Sequence, residues 1–196
     1  SYNQLVRTGR MSSSGPNSQQ LNKRAKKLIV PKGAFFSTDA SQVEFRVIAH
    51  YIQDEDVIRA YTDNADTGFH TWVAELCGVD RKPAKTMNFA MAYGAGKQKI
   101  TQQLSQMLEV ETDDPREFAR LTQMRANEIF ARYHERLPGV KRTSEKANAS
   151  CRRKGYIRNV YGRRRHLPLS QTHKAFNSLG QGCAMDITKT KMVELD

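Results

Sequence analysis

The residue that most restricts how this chain can fold is Pro138. It sits inside an otherwise continuous helical pattern running from Pro115 to Lys154. A proline ring clashes with the preceding turn and offers no N–H, so proline is tolerated in a helix's first turn and breaks its interior. The pattern must therefore be two helices. One opens at Pro115 and runs to about Leu137, with Phe118, Leu121, Ile129, Phe130 and Tyr133 on its apolar side; the next opens at Pro138 and runs to about Lys154. At Gly155 the period changes. Gly155-Tyr156-Ile157 and Arg165-His166-Leu167-Pro168 flank Tyr161-Gly162 and read as a hairpin, and a last helix is expected from Thr172 onward.

Ahead of that block, residues 1–27 are polar, with loop chemistry in Ser12–Gln20 and basic residues after it. Ile29-Val30, Pro31-Lys32-Gly33 and Ala34-Phe35-Phe36 read as two short strands across a turn. Val43, Val47, Ile48, Tyr51 and Ile52 give a helical stripe. Phe69 to Cys77 reads as another helix, and Asp80 as the N-cap of a strong one that carries Pro83 in its first turn, runs through Tyr93 and stops at Gly94. The layout is strand and helix, a helical block, then hairpin and helix. The expected class is α+β, a helical insertion between parts of one antiparallel sheet.

Charge narrows the partner. Lys and Arg number 32 against 20 acids, for a net charge of +12 and an isoelectric point near 9.8. Such an excess favours a polyanion, because each cation that neutralises a phosphate releases a condensed counterion. No apolar run is long enough to span a bilayer, so a nucleic acid is favoured over a membrane. Cys77, Cys151 and Cys183 are far apart, with no C-x-x-C, which argues against a zinc site or a disulfide framework and suits a reducing cytosol.

Two stretches carry candidate chemistry. In Asp80–Gly94, Arg81, Lys85, Phe89 and Tyr93 recur every four residues and line one drifting helix face, two cations and then two rings. Such a face can grip phosphates at one end and stack a base at the other, or be an ordinary solvated face. In Ser37–Arg46, Ser41 and Glu44 stand at capping-box spacing, while Asp39 falls at the carboxyl end of the expected strand. These acids are either punctuation between strand and helix, or holders of a metal and a substrate.

Taken together, the stretches resemble a specific family. S-T-D-A-S-Q-V-E-F-R resembles motif A of the family A DNA polymerases, the group of bacterial DNA polymerase I and the T7-type phage replicative polymerases. R-K-P-A-K-T-M-N-F-A-M-A-Y-G resembles their motif B, R-x-x-x-K-x-x-x-F-x-x-x-Y-G, the finger helix that closes on the incoming nucleotide. T-G-R-M-S-S-S-G-P-N, Thr8 to Asn17, and G-R-R-R-H-L-P followed by N-S-L-G-Q-G-C-A-M-D-I, within Gly162 to Ile187, resemble further family segments in family order. The Ala40 and Ala90 variants and Y-G-A-G-K-Q-K-I resemble the phage branch.

The resemblance implies a right-hand polymerase fold: a palm segment with motif A over 1–50, preceded by a thumb–palm junction loop; helical fingers over 51–154, with the motif B helix at 81–93; and a return to the palm over 155–196. It implies template-directed DNA synthesis in the cytoplasm of a bacterial or phage-infected cell, with an organelle left open, on primer–template DNA and dNTP, by two Mg²⁺ ions. Asp39 and the Ala40 carbonyl would bind metal. Arg81, Lys85 and His70 would touch the triphosphate, with Lys85 as proton donor to the leaving group. Phe89 would pack on the sugar, Tyr93 on the base or template side, and Glu44 would be the gate against a 2′-hydroxyl. Arg10, Asn177 and Gln181 would contact primer or template. The second catalytic aspartate, in an H-D-E motif, is expected to follow these residues, on a further segment or a partner polypeptide, leaving the isolated chain inactive. Rival readings are a single-subunit phage-type RNA polymerase, against which Glu44 argues, and a non-catalytic nucleic-acid-binding remnant.

Overall fold

In the computed structural model the structure describes residues 1–3, 6–34, 38–63, 68–92 and 95–195. Two short strands, β1 (Tyr2–Asn3) and β2 (Ser12–Ser13), pair antiparallel and enclose the Thr8-Gly9-Arg10 turn. Helix α1 (Lys23–Lys26) follows, its N-terminus capped by the Asn22 side chain, which accepts from Ala25 N at 2.8 Å. Then come α2 (Val43–Ile52), α3 (Glu55–Asp63), α4 (Phe69–Cys77), α5 (Arg81–Ala92) and α6 (Lys97–Ser105). The two proline-opened helices are α7 (Pro115–Arg136) and α8 (Pro138–Lys154). Antiparallel β3 (Tyr156–Arg158) and β4 (Arg164–His166) make the hairpin, and α9 (Ala175–Glu194) closes the order after a 3₁₀ turn at Leu169–Lys174.

The architecture is α+β, mainly helical with two small antiparallel sheets. Helix α2 packs on α9 and α8, and α9 also holds the hairpin and α8. Helices α4 to α7 pack as a second group, which α5 and α8 tie to the first. One contiguous apolar core runs through both, including Ile52, Val57, Val73, Met87, Leu104, Tyr133, Leu137 and Phe176. No described helix is long and apolar enough to cross a membrane. The three cysteines are buried and unpaired with one another.

The breaks at Pro115, Pro138 and Gly155 fall where expected: Asp114 accepts from Arg116 N at 2.9 Å to cap α7, and Gly155 ends α8 in the left-handed region. Other expectations are corrected. Ile29 and Val30 lie in no strand and are exposed, since neither finds a ladder partner among the described residues; Phe35 and Phe36 lie outside those residues. Phe118 is exposed, because α7 turns Thr122, Ala126, Ile129 and Tyr133 inward instead. Helices α3 and α6 add to the expected elements, and α9 starts at Ala175 rather than Thr172.

Candidate functional site

The turn before α2 decides what its side chains can do. The N-cap is Gln42, in the left-handed region at φ 53°, and no side chain caps the helix. The capping box of Ser41 and Glu44 is therefore not formed: Ser41 is displaced one residue ahead of the N-cap. Its carbonyl instead accepts from Arg46 Nε at 3.1 Å. The Gln42 amide serves another helix, its Oε1 accepting from Phe69 N at 2.9 Å at the start of α4. Glu44 turns to Arg10 of the β1–β2 turn and forms an ion pair with it. A charge-assisted bond to a guanidinium is stronger than one to a backbone N–H, which gives the carboxylate reason to leave the cap.

Glu44 and Arg10 face a cleft of about 460 Å³ between α2, α4 and α5. Ala40, Gln42, Val43 and Phe45 complete one side; His70, Arg81, Lys85 and Phe89 form the other. Arg81 is the first residue of α5 and Lys85 lies one turn on, so their charges add to the positive end of the helix dipole. Both are exposed. Lys85 Nζ stands 6.0 Å from the Phe89 ring centroid. Phe45 binds the aromatic floor together, edge-on to His70 at 4.6 Å and to Phe89 at 5.1 Å, and stacked on Phe69 at 5.4 Å.

His70 is buried, and Asn88 meets it from α5 with Nδ2 3.1 Å from His70 Nδ1. Burial, with the nearby charges of Arg81 and Lys85, pushes the imidazole down to about 4, so it is neutral near pH 7. A cationic wall, a neutral ring donor, two aromatic faces and an opposed carboxylate can together hold a phosphate-bearing ligand with a sugar or planar ring.

The structure thus brings Arg10, Ala40, Glu44, His70, Arg81, Lys85 and Phe89 into one cleft. Asp39, next to Ala40 in sequence, is exposed and does not itself line the cleft. Tyr93 lies outside the described residues. Asn177 and Gln181 are elsewhere, on α9, half-buried and buried respectively, and do not line the cleft. Gln42, Phe45 and Asn88 were missed. Asn88 was legible as the third member of an i, i+4, i+7 series from Arg81 and Lys85, one helix face; Gln42 and Phe45 carried no such signal. Among the described residues, no group of three or more His, Cys, Asp or Glu is arranged to hold a metal ion.

Behind the cleft the β1–β2 turn rests on the hairpin. Gly9 has φ +83°, and a Cβ there would come 3.4 Å from the Arg163 guanidinium carbon. Arg163 Nε donates to Asp186 Oδ1 at 2.8 Å, and Asn159 Nδ2 donates to Asp186 Oδ2 at 2.7 Å. Partial burial alone would raise the Asp186 carboxyl; the bonds from Arg163 and Asn159 outweigh it and hold the group below its ordinary range. Asp186 is therefore engaged in structure, while Asp196 lies outside the described residues.

The chain is similar to known proteins in three kinds of comparison. The "DNA polymerase I" of Streptococcus pneumoniae serotype 4 is 31% identical over 98% of this chain and 23% of its own length. The "DNA polymerase DpoZ" of Salmonella phage PMBT28 is 29% identical over 96% of this chain and 34% of its own. The thermostable DNA polymerase I of Thermus aquaticus is 31% identical over 96% and 24%. The chain thus spans about a quarter to a third of the length of these relatives. A solved structure, the POL domain of Pol1 from M. smegmatis in complex with DNA primer-template and dNTP, superposes with TM-score 0.76 and 27% identity, covering 98% of this chain and 36% of that one. The family model described as DNA polymerase family A matches residues 1–196, and the chain belongs to that family.

Proposed function

We propose that residues 1–196 form the nucleotide-receiving part of a polymerase that carries out template-directed DNA synthesis, joining a deoxynucleotide from dNTP to a primer 3′-hydroxyl. The observation that carries this reading is the meeting of Arg81, Lys85, His70, Phe89 and Glu44 in one cleft. Family membership supports it, as does the likeness to a POL domain solved with DNA and dNTP.

In this reading Arg81 and Lys85 take the triphosphate, aided by the dipole of α5. Lys85 also gives a proton to the departing pyrophosphate, and His70 donates a hydrogen bond to a phosphate oxygen. Phe89 packs on the sugar and Tyr93 on the base or template side. Glu44 occupies the space a 2′-hydroxyl would need. Arg10, Asn177 and Gln181 contact primer or template. Residues 1–50 and 155–196 serve as palm and 51–154 as fingers.

The Asp39 carboxylate and the Ala40 carbonyl are hard oxygen donors, the kind Mg²⁺ prefers. Among the described residues they are a partial set, and a two-ion site needs further protein ligands. When bound, such ions activate the 3′-hydroxyl and neutralise charge on the leaving pyrophosphate.

The test is dNTP affinity of the chain, followed by the fluorescence of its single tryptophan, Trp72, which packs on Phe69. Arg81→Ala and Lys85→Ala should each weaken binding roughly 10-fold, the size of one lost charge-assisted bond. Unchanged affinity in both would overturn the reading.

A further inference from the structure

His70 and Asn88 meet in the dry wall behind the cleft. Asn88 is 1% exposed. Its Nδ2 lies 3.1 Å from His70 Nδ1, while its buried Oδ1 has no hydrogen-bond partner among the described residues. An amide NH₂ can only donate, so the ring nitrogen facing it must be a bare acceptor. That leaves the imidazole proton on Nε2. The reverse amide orientation would leave both Asn88 N–H groups buried without acceptors, where the one observed leaves Oδ1 and a single N–H. It would also put the proton on Nδ1 and present the Nε2 lone pair to the cleft.

The surroundings keep the ring neutral. Phe45 stands edge-on at 4.6 Å, Phe89 lies at 5.4 Å and Phe69 at 6.4 Å, offering the ring no counter-charge. The charged groups acting on it, Arg81 and Lys85, are both cations. Across the same cleft stand Glu44, paired with Arg10, and the amide of Gln42, engaged at the start of α4. With Nδ1 turned to Asn88 and the ring lining the cleft, Nε2–H is the polar atom left for a ligand.

We propose that Asn88 is a positioning residue that locks His70 as the neutral Nε2–H tautomer, so that this histidine meets an anionic phosphate as a hydrogen-bond donor. This rests on the triphosphate reading of the cleft. A lone-pair-bearing Nε2 would repel the same oxygen, so the tautomer decides the sign of the contact. Among the described residues, Asn88 is the one whose side chain hydrogen-bonds the ring.

The experiment is ¹⁵N NMR of the 196-residue chain, assigning protonated and bare nitrogens of His70 near neutral pH. The expected spectrum has the proton on Nε2, and Asn88→Ala converts it to a mixture of tautomers. Titrated with dATP and Mg²⁺, Asn88→Ala should bind more weakly in proportion to the Nε2–H tautomer lost, about 2-fold for an even mixture. In a His70→Gln background, whose amide donates without a tautomer choice, Asn88→Ala should have no further effect. A wild-type Nδ1–H spectrum, or an Asn88→Ala variant with the tautomer unchanged, overturns the proposal. The wild-type spectrum decides even if the variant fails to fold. Loss of dATP binding by the wild type would instead count against the triphosphate reading, since the tautomer is read without ligand.

Discussion

The guanidinium of Arg10 is paired with the carboxylate of Glu44, across 34 positions of sequence. This contact takes Glu44 off its own helix terminus and holds it at the cleft, in the β1–β2 turn's reach. It makes the position of the carboxylate a feature of tertiary structure, which the proposed gate role requires.

The gate reading predicts that Glu44→Ala, in the polymerase that carries these residues, raises ribonucleotide incorporation relative to deoxynucleotide by about 10-fold or more. Arg10→Ala should loosen the same discrimination less, because the carboxylate remains but loses its anchor. Single-nucleotide incorporation with paired dNTP and rNTP measures both. Unchanged sugar selection in Glu44→Ala removes the assignment.

Asp39→Ala should abolish turnover in that same polymerase while leaving affinity for primer–template within about 3-fold, since binding rests mainly on Lys and Arg contacts to phosphate. Gel-shift and extension assays run side by side separate the two effects. Residual turnover near the wild-type rate would show that Asp39 is not a metal ligand.

Acid should destabilise the fold through His70. Held at about 4, it binds its proton more weakly folded than unfolded. Its contribution is therefore complete above its ordinary value and is lost as pH falls through the folded one. Between about pH 7.5 and about pH 5 the loss is roughly 2 kcal/mol. His134 is lowered by burial and by Lys141, and adds a loss of the same sign. Urea unfolding followed by Trp72 should show a smaller pH dependence in His70→Gln, reduced rather than abolished.

The hairpin should depend on Asp186. Its carboxylate receives Arg163 through Nε and Nη2 and also Asn159, and Arg163 underlies Gly9. Asp186→Ala leaves these donors unmatched, for a loss of about 1–2 kcal/mol after allowing for the exposure of Arg163. Gly9→Ala should also destabilise, because its positive φ disfavours a side chain and its Cβ would press on Arg163. Denaturant midpoints measure both, and a neutral Asp186→Ala would show the cluster to be incidental.

The sequence by itself determined the helix breaks and which residues share one face of α5. Proline cannot sit in a helix interior, so Pro138 divides α7 from α8 wherever the rest of the chain lies. Arg81, Lys85, Phe89 and Asn88 share a face because 3.6 residues make a turn. Such rules act within a few residues. Only the tertiary structure decided partners. Ser41 and Glu44 satisfy a capping-box pattern, yet a left-handed Gln42 and an arginine from another turn gave Glu44 a stronger bond elsewhere. Ile29 and Val30 read as a strand, but a strand needs a neighbour to complete its hydrogen bonds, and none of the described residues supplies one. Asn88 became more than a helix position when the packing of α4 on α5 set its amide against His70. Local pattern fixes where a side chain sits on its own element; which surface that element meets determines what the side chain does.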